Sequence, residues 1–109
     1  MPEMTKKQKR HLKQLSSKCY EIEVSNSLDD LGEDFKKWKN KEITVWELND
    51  KIHKYHNGTA RELYKIYEFL RDPRVAVALA ISKGIIKIED VQENCRSLLE
   101  GLIEFYDNG

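Results

Sequence analysis

The chain has 109 residues, of which 39% are hydrophobic and 35% are charged. This length favours one domain, and the regular spacing of the apolar residues excludes a wholly disordered chain. Lysine and arginine together number 19, as do aspartate and glutamate, so the formal net charge is zero. A uniformly basic nucleic-acid binder is therefore excluded. We predict a single domain over residues 1–109, with frayed ends at 1–4 and 107–109.

Cysteine usage and hydropathy indicate the compartment. Cys19 and Cys95 lie far apart without CxxC spacing, so we expect two reduced, buried thiols; a disulfide or a reactive thiol is the alternative. The basic N-terminal segment lacks the apolar core of a signal peptide. The longest apolar run, Val75–Ile81, is far shorter than a membrane span. We expect a cytoplasmic protein with no membrane association and no cofactor.

The first helix is predicted over Thr5–Lys39, where apolar residues recur at spacings of three and four. Its two apolar stripes differ in phase, and Ser25-Asn26-Ser27 lies between them. Residues 28–39 place acids first and bases last, as the helix dipole favours, whereas residues 5–24 do the opposite. Two alternatives follow, one long kinked helix or two helices with Ser27 as a cap, and we favour the kinked continuous helix.

Helix-start signals recur in the second half of the chain. Capping-box patterns begin at Thr44, Thr59 and Asp90, and Asp72-Pro73 adds a fourth start. Asn57-Gly58 and Gly84 are predicted to end helices. The resulting helices cover about Val45–His56, Ala60–Arg71, Pro73–Lys83 and Val91–Tyr106.

These signals predict an all-α fold, a small bundle of about five helices. It has a long N-terminal helix and short helices after residue 40, with neighbours packed as hairpins. Val75–Ile81 is apolar nearly all round and is predicted to be the buried central element. Ile85–Ile88 could look strand-like, but no second strand is available to pair with it, so no sheet is expected.

The aromatic residues separate into two predicted groups. Phe35 and Trp38 follow the apolar stripe of the first helix, which predicts burial in the core. Trp46 and Tyr64 fall beside their stripes, so we predict that they are partly exposed and anchor a protein partner.

A basic cluster near the N-terminus is a candidate contact for nucleic acid or an acidic protein. Its alternative is a solvated helix end. The next stretch, Cys19–Phe35, holds six acids and no bases, and this polarity also suits antiparallel self-pairing. Residues 44–71 have the outline of a helix-turn-helix, but Arg61 is the one base-reading side chain at the start of the second helix. The basic cluster comprises Lys6, Lys7, Lys9, Arg10 and Lys13.

Asp50, His53 and His56 recur at spacings of three and are weak candidates for a metal site. The set is an incomplete copy of a bundle metal motif, and Lys54 is available as a partner for Asp50, so no metal is predicted.

Catalytic motifs such as a phosphate-binding loop, GxSxG or HExxH are missing from the sequence. The leading hypothesis is a non-enzymatic protein-interaction or regulatory module: an adaptor, an antitoxin-like inhibitor or an accessory subunit. It would act on a protein partner or on its own copy. The alternatives are a nucleic-acid-binding regulator that uses the basic helix, and a metal-binding protein or enzyme that uses His53 and His56.

Overall fold

A computed structural model describes residues 3–69 and 72–108, apart from the side chain of Phe69. The described residues form helices and no strand, which confirms the all-α fold. Leu70 and Arg71, at the end of the predicted third helix, lie outside the described residues, as do residues 1, 2 and 109.

The first helix, α1, is continuous over Lys6–Lys39. Thr5 caps it in a reciprocal box with Gln8, whose side chain accepts a hydrogen bond from the Thr5 amide at 2.9 Å. The two-helix alternative is wrong, because the helix passes through Ser25-Asn26-Ser27. The Ser27 hydroxyl donates to the Val24 carbonyl at 2.8 Å and so does not cap a new helix.

The second helical segment runs past the predicted stop at Asn57-Gly58. It starts at Thr44, whose capping box with Glu47 is confirmed. Gly58 does not take a positive φ, and Thr59 caps nothing. Instead the chain widens into two π-helical stretches and continues as one rod. Its parts are α2 (Val45–Lys54), a π-helix (Tyr55–Ala60), α3 (Arg61–Tyr64) and a second π-helix (Lys65–Phe69).

The third part begins at Asp72-Pro73 as predicted, and Asp72 accepts from the Arg74 amide at 3.0 Å. It forms α4, Pro73–Ser82, which Gly84 ends with a φ of 78°. The predicted start at Asp90 is wrong, since that carboxylate accepts from the Lys87 amide within the 3-10 turn Ile88–Asp90. The predicted last helix is divided into α5 (Glu93–Arg96) and α6 (Glu100–Asn108).

Asp107 and Asn108, for which we expected fraying, continue α6. The Asp107 carboxylate accepts a hydrogen bond from the Ser82 hydroxyl at 2.6 Å, which ties the end of α6 to the end of α4.

The hydrophobic core lies at one end of an elongated molecule of 54 × 27 × 24 Å. It forms where α4 contacts both α1 and α6, and α4 contributes Ala76, Val77 and Ala80, so the predicted central element is confirmed. We call this part, residues 3–24, 61–69 and 72–108, the body. The other end, residues 25–60, is the arm. Leu48 is the one buried hydrophobic side chain among residues 25–60, and the main core contains no arm residue.

Candidate interaction site

The arm is an antiparallel pair formed by the second half of α1 and by α2 with the π-helix that follows it. A five-residue connector, Asn40–Thr44, joins them. An ion pair joins the two helices: Lys51 Nζ lies 3.8 Å from Asp34 Oδ1. Farther from the tip, a shallow cleft between the helices is lined by Ser27 on one side and Thr59 on the other. The Lys51–Asp34 contact places residue 34 near the level of residue 51.

The two long faces of the arm differ in character. Helical spacing places Ser27, Asp30 and Asp34 on one side of Leu31, and Lys51 and Lys54 on the same side of the second helix; this polar side is the cleft face. The same spacing places five other residues on the opposite side of the two helices, away from the cleft. We call this side the apolar face, and its residues are Leu28, Gly32, Phe35, Val45 and Ile52.

The hydrophobic side chains of the apolar face are incompletely covered. Leu28, Phe35, Val45 and Ile52 are each 36–50% exposed. Among the described residues, six of the eight exposed large hydrophobic side chains lie in the arm. A two-helix hairpin can cover each apolar stripe from one direction only, so these side chains retain surface that a further helix could bury.

Gly32 lies in the middle of α1 and on the apolar face. Its φ is not positive, and a Cβ built on it would meet nothing within 4 Å. Glycine inside a helix costs about 0.5–1 kcal/mol relative to alanine. No described contact within this chain requires that cost, because the space beside Gly32 is open.

The predicted exposure of the aromatic residues is confirmed for one group and wrong for the other. Trp46 is 78% exposed and Tyr64 is 55% exposed, as expected for both. Their role in partner binding stays a prediction. The predicted burial of Phe35 and Trp38 is wrong, since each is 38% exposed and neither belongs to the main core. The reason is tertiary: within residues 3–69 and 72–108, no third helix covers the arm at their level.

The basic N-terminal residues occupy one face of α1. Lys6, Lys9, Arg10 and Lys13 line a shallow surface groove with Gln14 and Ser17, and no acid lines it. Lys7 does not line this groove. Two acids, Glu68 and Asp72, lie close to this groove. They line a neighbouring depression that shares Lys13 and Ser17 with it.

The start of α5 is held by the same part of α1. The Gln8 side-chain amide donates to the Asn94 carbonyl at 2.7 Å, and His11 Nε2 accepts from the Gln92 amide at 3.0 Å. Sequence analysis assigned no role to either α1 residue, because their partners are more than 80 positions away.

The weak metal candidates are not assembled into a site. Asp50 pairs with Lys54 at 2.9 Å, and His53 and His56 are exposed. Among residues 3–69 and 72–108, no three histidine, cysteine, aspartate or glutamate side chains are grouped so that they could hold a metal ion.

A partly buried polar cluster centres on Glu23. Its Oε2 accepts a hydrogen bond from the Tyr67 hydroxyl, and its Oε1 lies 2.6 Å from Lys83 Nζ. The Tyr67 ring stacks on Tyr20 with centroids 5.0 Å apart. The cluster thus joins α1, the second π-helix and the end of α4. Sequence analysis missed it, because its members are scattered along the chain.

Two weakly acidic groups in and beside the cluster, the Tyr67 phenol and the Cys19 thiol, have raised pKa values. Burial, the hydrogen bond to Glu23 and the Glu23 charge all raise the pKa of Tyr67. Burial, followed by the negative charge of Glu23, raises the pKa of Cys19 to about 11. Cys19 and Cys95 are both buried and unpaired, as the expectation of reduced core thiols requires. A thiol and a phenol with raised pKa values are poor nucleophiles at neutral pH, so the geometry favours a structural role for the cluster.

Among the described residues, no helix combines the length and the apolar character needed to cross a lipid bilayer. Comparison with known proteins finds no matching family model, no matching curated protein and no matching solved structure.

Proposed function

We propose that this protein is a cytoplasmic interaction module that receives a helical surface of another polypeptide on the apolar face of its arm. The observation that carries the proposal is the concentration of exposed hydrophobic side chains on the arm. Soluble monomers rarely expose large contiguous apolar patches unless something binds them. Two buried, unpaired cysteines fit a reducing compartment.

The expected occupant is helical because of the shape of the apolar face. Leu28 and Phe35 lie seven residues apart on α1, and Val45 and Ile52 lie seven apart on α2. Such a heptad spacing on two antiparallel helices leaves a long shallow groove that fits one or two further helices. An adaptor, an inhibitor of the antitoxin kind or an accessory subunit would each act in this way.

Site-specific photo-cross-linking tests the proposal. A benzophenone amino acid replaces Phe35, on the apolar face, and in a control variant replaces Glu33, an exposed residue outside both faces. We expect protein adducts from position 35 in native cells, and few or none from position 33. The absence of any protein adduct from position 35 would contradict the proposal.

Binding of a polyanion such as nucleic acid is the second candidate function. It is favoured by the basic groove of α1, where Lys6, Lys9, Arg10 and Lys13 share one face. Each lysine or arginine that neutralises a phosphate releases counterions, so binding should weaken steeply with salt.

The test compares two sets of substitutions at opposite ends of α1. Changing the four groove residues to glutamine should lower the slope of log affinity against log salt by up to about 3–4 for duplex DNA. The control changes Lys36, Lys37 and Lys39 to glutamine and should alter the slope little. Equal effects of the two sets, or no retardation of DNA or RNA at low salt, would overturn this candidate.

A further inference from the structure

We propose that the occupant of the apolar face is a second copy of this chain, with the two α1 helices crossing antiparallel at Gly32. This inference rests on the proposed function and names its partner. In the resulting two-fold dimer, the two arms pack side by side as an antiparallel four-helix bundle.

The sequence around Gly32 is complementary to itself. Leu28 lies four residues before Gly32 and Phe35 three residues after it. Asp29 lies three before it and Lys36 four after it. In an antiparallel crossing centred on Gly32, Leu28 and the Phe35 of the copy lie on the same side and differ in level by one residue, about 1.5 Å, so they can come into contact. Asp29 and the Lys36 of the copy have the same relation on the other side. A two-fold axis forms each of these contacts twice.

The Lys36 side chain can exchange its partner within the chain for Asp29 of the copy. It forms an ion pair with Glu33 at 3.1 Å, but both side chains are more than 60% exposed. Exposed pairs one turn apart on a helix contribute little to stability, so the lysine can turn to Asp29 of the copy at small cost.

Gly32 supplies what a close helix crossing needs. The space beside its Cα is open, and its backbone conformation does not require glycine. Glycine is the poorest helix former after proline, so its position in the middle of a long helix calls for a reason outside this chain. Close approach of a second helix backbone supplies that reason, as small residues do at other tight helix crossings.

The second helix of each arm also places a hydrophobic residue near the two-fold axis at Gly32. Because residue 34 lies near the level of residue 51, Gly32 lies level with about residue 53, which places Ile52 beside the axis. The antiparallel arrangement also sets the tip of each arm beside the base of the other. Trp46 at the tip and Tyr64 beyond the base then come to the same end of the dimer.

The exposed apolar side chains lie where a second copy would cover them. The four hydrophobic side chains of the apolar face are each 36–50% exposed. They would form the apolar centre of an interface of about 800 Å² per partner, to which flanking polar side chains such as Asp29 and Lys36 contribute the rim. Zero net charge adds no long-range repulsion between copies.

The first test is the mass in solution. Light scattering after size exclusion should give twice the chain mass of 12.9 kDa. Gly32→Leu should leave the helical circular dichroism unchanged or increased, because leucine is a better helix former and its Cβ meets open space. The same change should raise the dimer dissociation constant roughly tenfold or more by overfilling the crossing.

The second test uses charge reversal to check the register. Asp29→Lys and Lys36→Asp should each raise the dissociation constant roughly tenfold, since each contact occurs twice, and the double variant should recover most of the loss. Lys37→Asp, next to Lys36 in sequence but outside the apolar face, is the control and should have little effect. Failure of the double variant to recover affinity would contradict the Gly32-centred register.

A third test uses proximity. The Gly32→Cys variant should form a disulfide-linked dimer under mild oxidation, whereas Glu33→Cys should not. Cys19 and Cys95 are buried and so do not compete. If the native chain stays at its monomer mass at the highest soluble concentration, the dimer is overturned. If cross-linking from position 35 then still captures a different protein, the proposed function stands with another partner.

Discussion

The Glu23 carboxylate shows how a single residue can organise the body of this protein. Its side chain is 11% exposed and is held by Tyr67 and Lys83. A mostly buried carboxylate without partners would be unfavourable, so the contacts with Tyr67 and Lys83 stabilise Glu23 in this position. The stacking of Tyr67 on Tyr20 fixes the hydroxyl in position to donate.

Tyr67→Phe should destabilise the protein by about 1.5–3 kcal/mol, because it removes a hydrogen bond to a charged, mostly buried acceptor while it keeps the ring. Urea unfolding followed by circular dichroism measures the change. Tyr64→Phe is the matched control, and its exposed hydroxyl should contribute little. Equal stabilities of the two variants would show that the Glu23 cluster is not a tether.

Cys19 should make stability fall at alkaline pH. Its pKa is about 11 in the folded chain against an ordinary value of 9.0, so between these values the unfolded chain loses the thiol proton more readily. The contribution of the neutral thiol is therefore fully present below pH 9.0 and is lost as the pH rises towards 11.

The loss should reach up to about 2–3 kcal/mol. Comparing the unfolding free energy of the native chain and Cys19→Ala across this pH range isolates the thiol, because other groups titrate in both proteins. Parallel pH profiles would contradict the assignment. At neutral pH, Cys19 should also resist thiol reagents until the chain unfolds.

At the scale of helices, local signals predicted two of the four helix starts and one of the two stops correctly. The starts at Thr44 and Asp72 are confirmed because each cap bonds an amide in its own first turn. Asn57-Gly58 failed as a stop. The side chains of Tyr55, Thr59, Leu63 and Tyr67 recur every four residues, more than the 3.6 of an α-helix. Wider π-helical turns take up this excess and keep Leu63 and Tyr67 on the core side.

The end of α1 places Lys41 in the left-handed region, which is unfavourable for a residue with a side chain. This residue has a φ of 61°, and the amides of Lys41 and Glu42 donate to the carbonyls of Trp38 and Lys37 in a Schellman motif that usually holds glycine. Sequence analysis could not find this turn, because a lysine in the left-handed region has no sequence signature.

Lys41→Gly should therefore stabilise the chain by about 1 kcal/mol, by removing the cost of a side chain at positive φ. Lys39→Gly, two residues earlier in the last helical turn, is the control and should destabilise by about 0.5–1 kcal/mol. Thermal and urea unfolding report both changes. A loss of stability in Lys41→Gly would refute the strain.

At the scale of the whole molecule, stability is concentrated in the body. The core contains α4, which packs against α1 and α6, whereas Leu48 is the one buried hydrophobic side chain among arm residues 25–60. Segments with few buried apolar contacts open more often than the rest of a structure. The arm is thus the part of the molecule that gains most from a partner.

Amide hydrogen exchange should reflect this division. At low protein concentration, amides of α2 should exchange roughly a hundredfold faster than those of α4, which corresponds to about 2–3 kcal/mol of difference in opening free energy. Raising the concentration should slow exchange in the arm selectively, since association buries it. Arm amides as protected as those of α4 in the dilute monomer would argue against the division.

The sequence by itself determined the all-α class, the caps at Thr44 and Asp72, the stop at Gly84 and the central place of Val75–Ile81, where Ala76, Val77, Ala78 and Ala80 are buried. Those features depend on neighbours within a few residues. The exposure of Phe35 and Trp38, the helix through Gly58 and the Glu23 cluster were decided only by the tertiary structure, because each depends on residues distant in the chain. An apolar stripe indicates that burial of a helix face is favourable, whereas only the packing of the whole chain shows whether that face is buried.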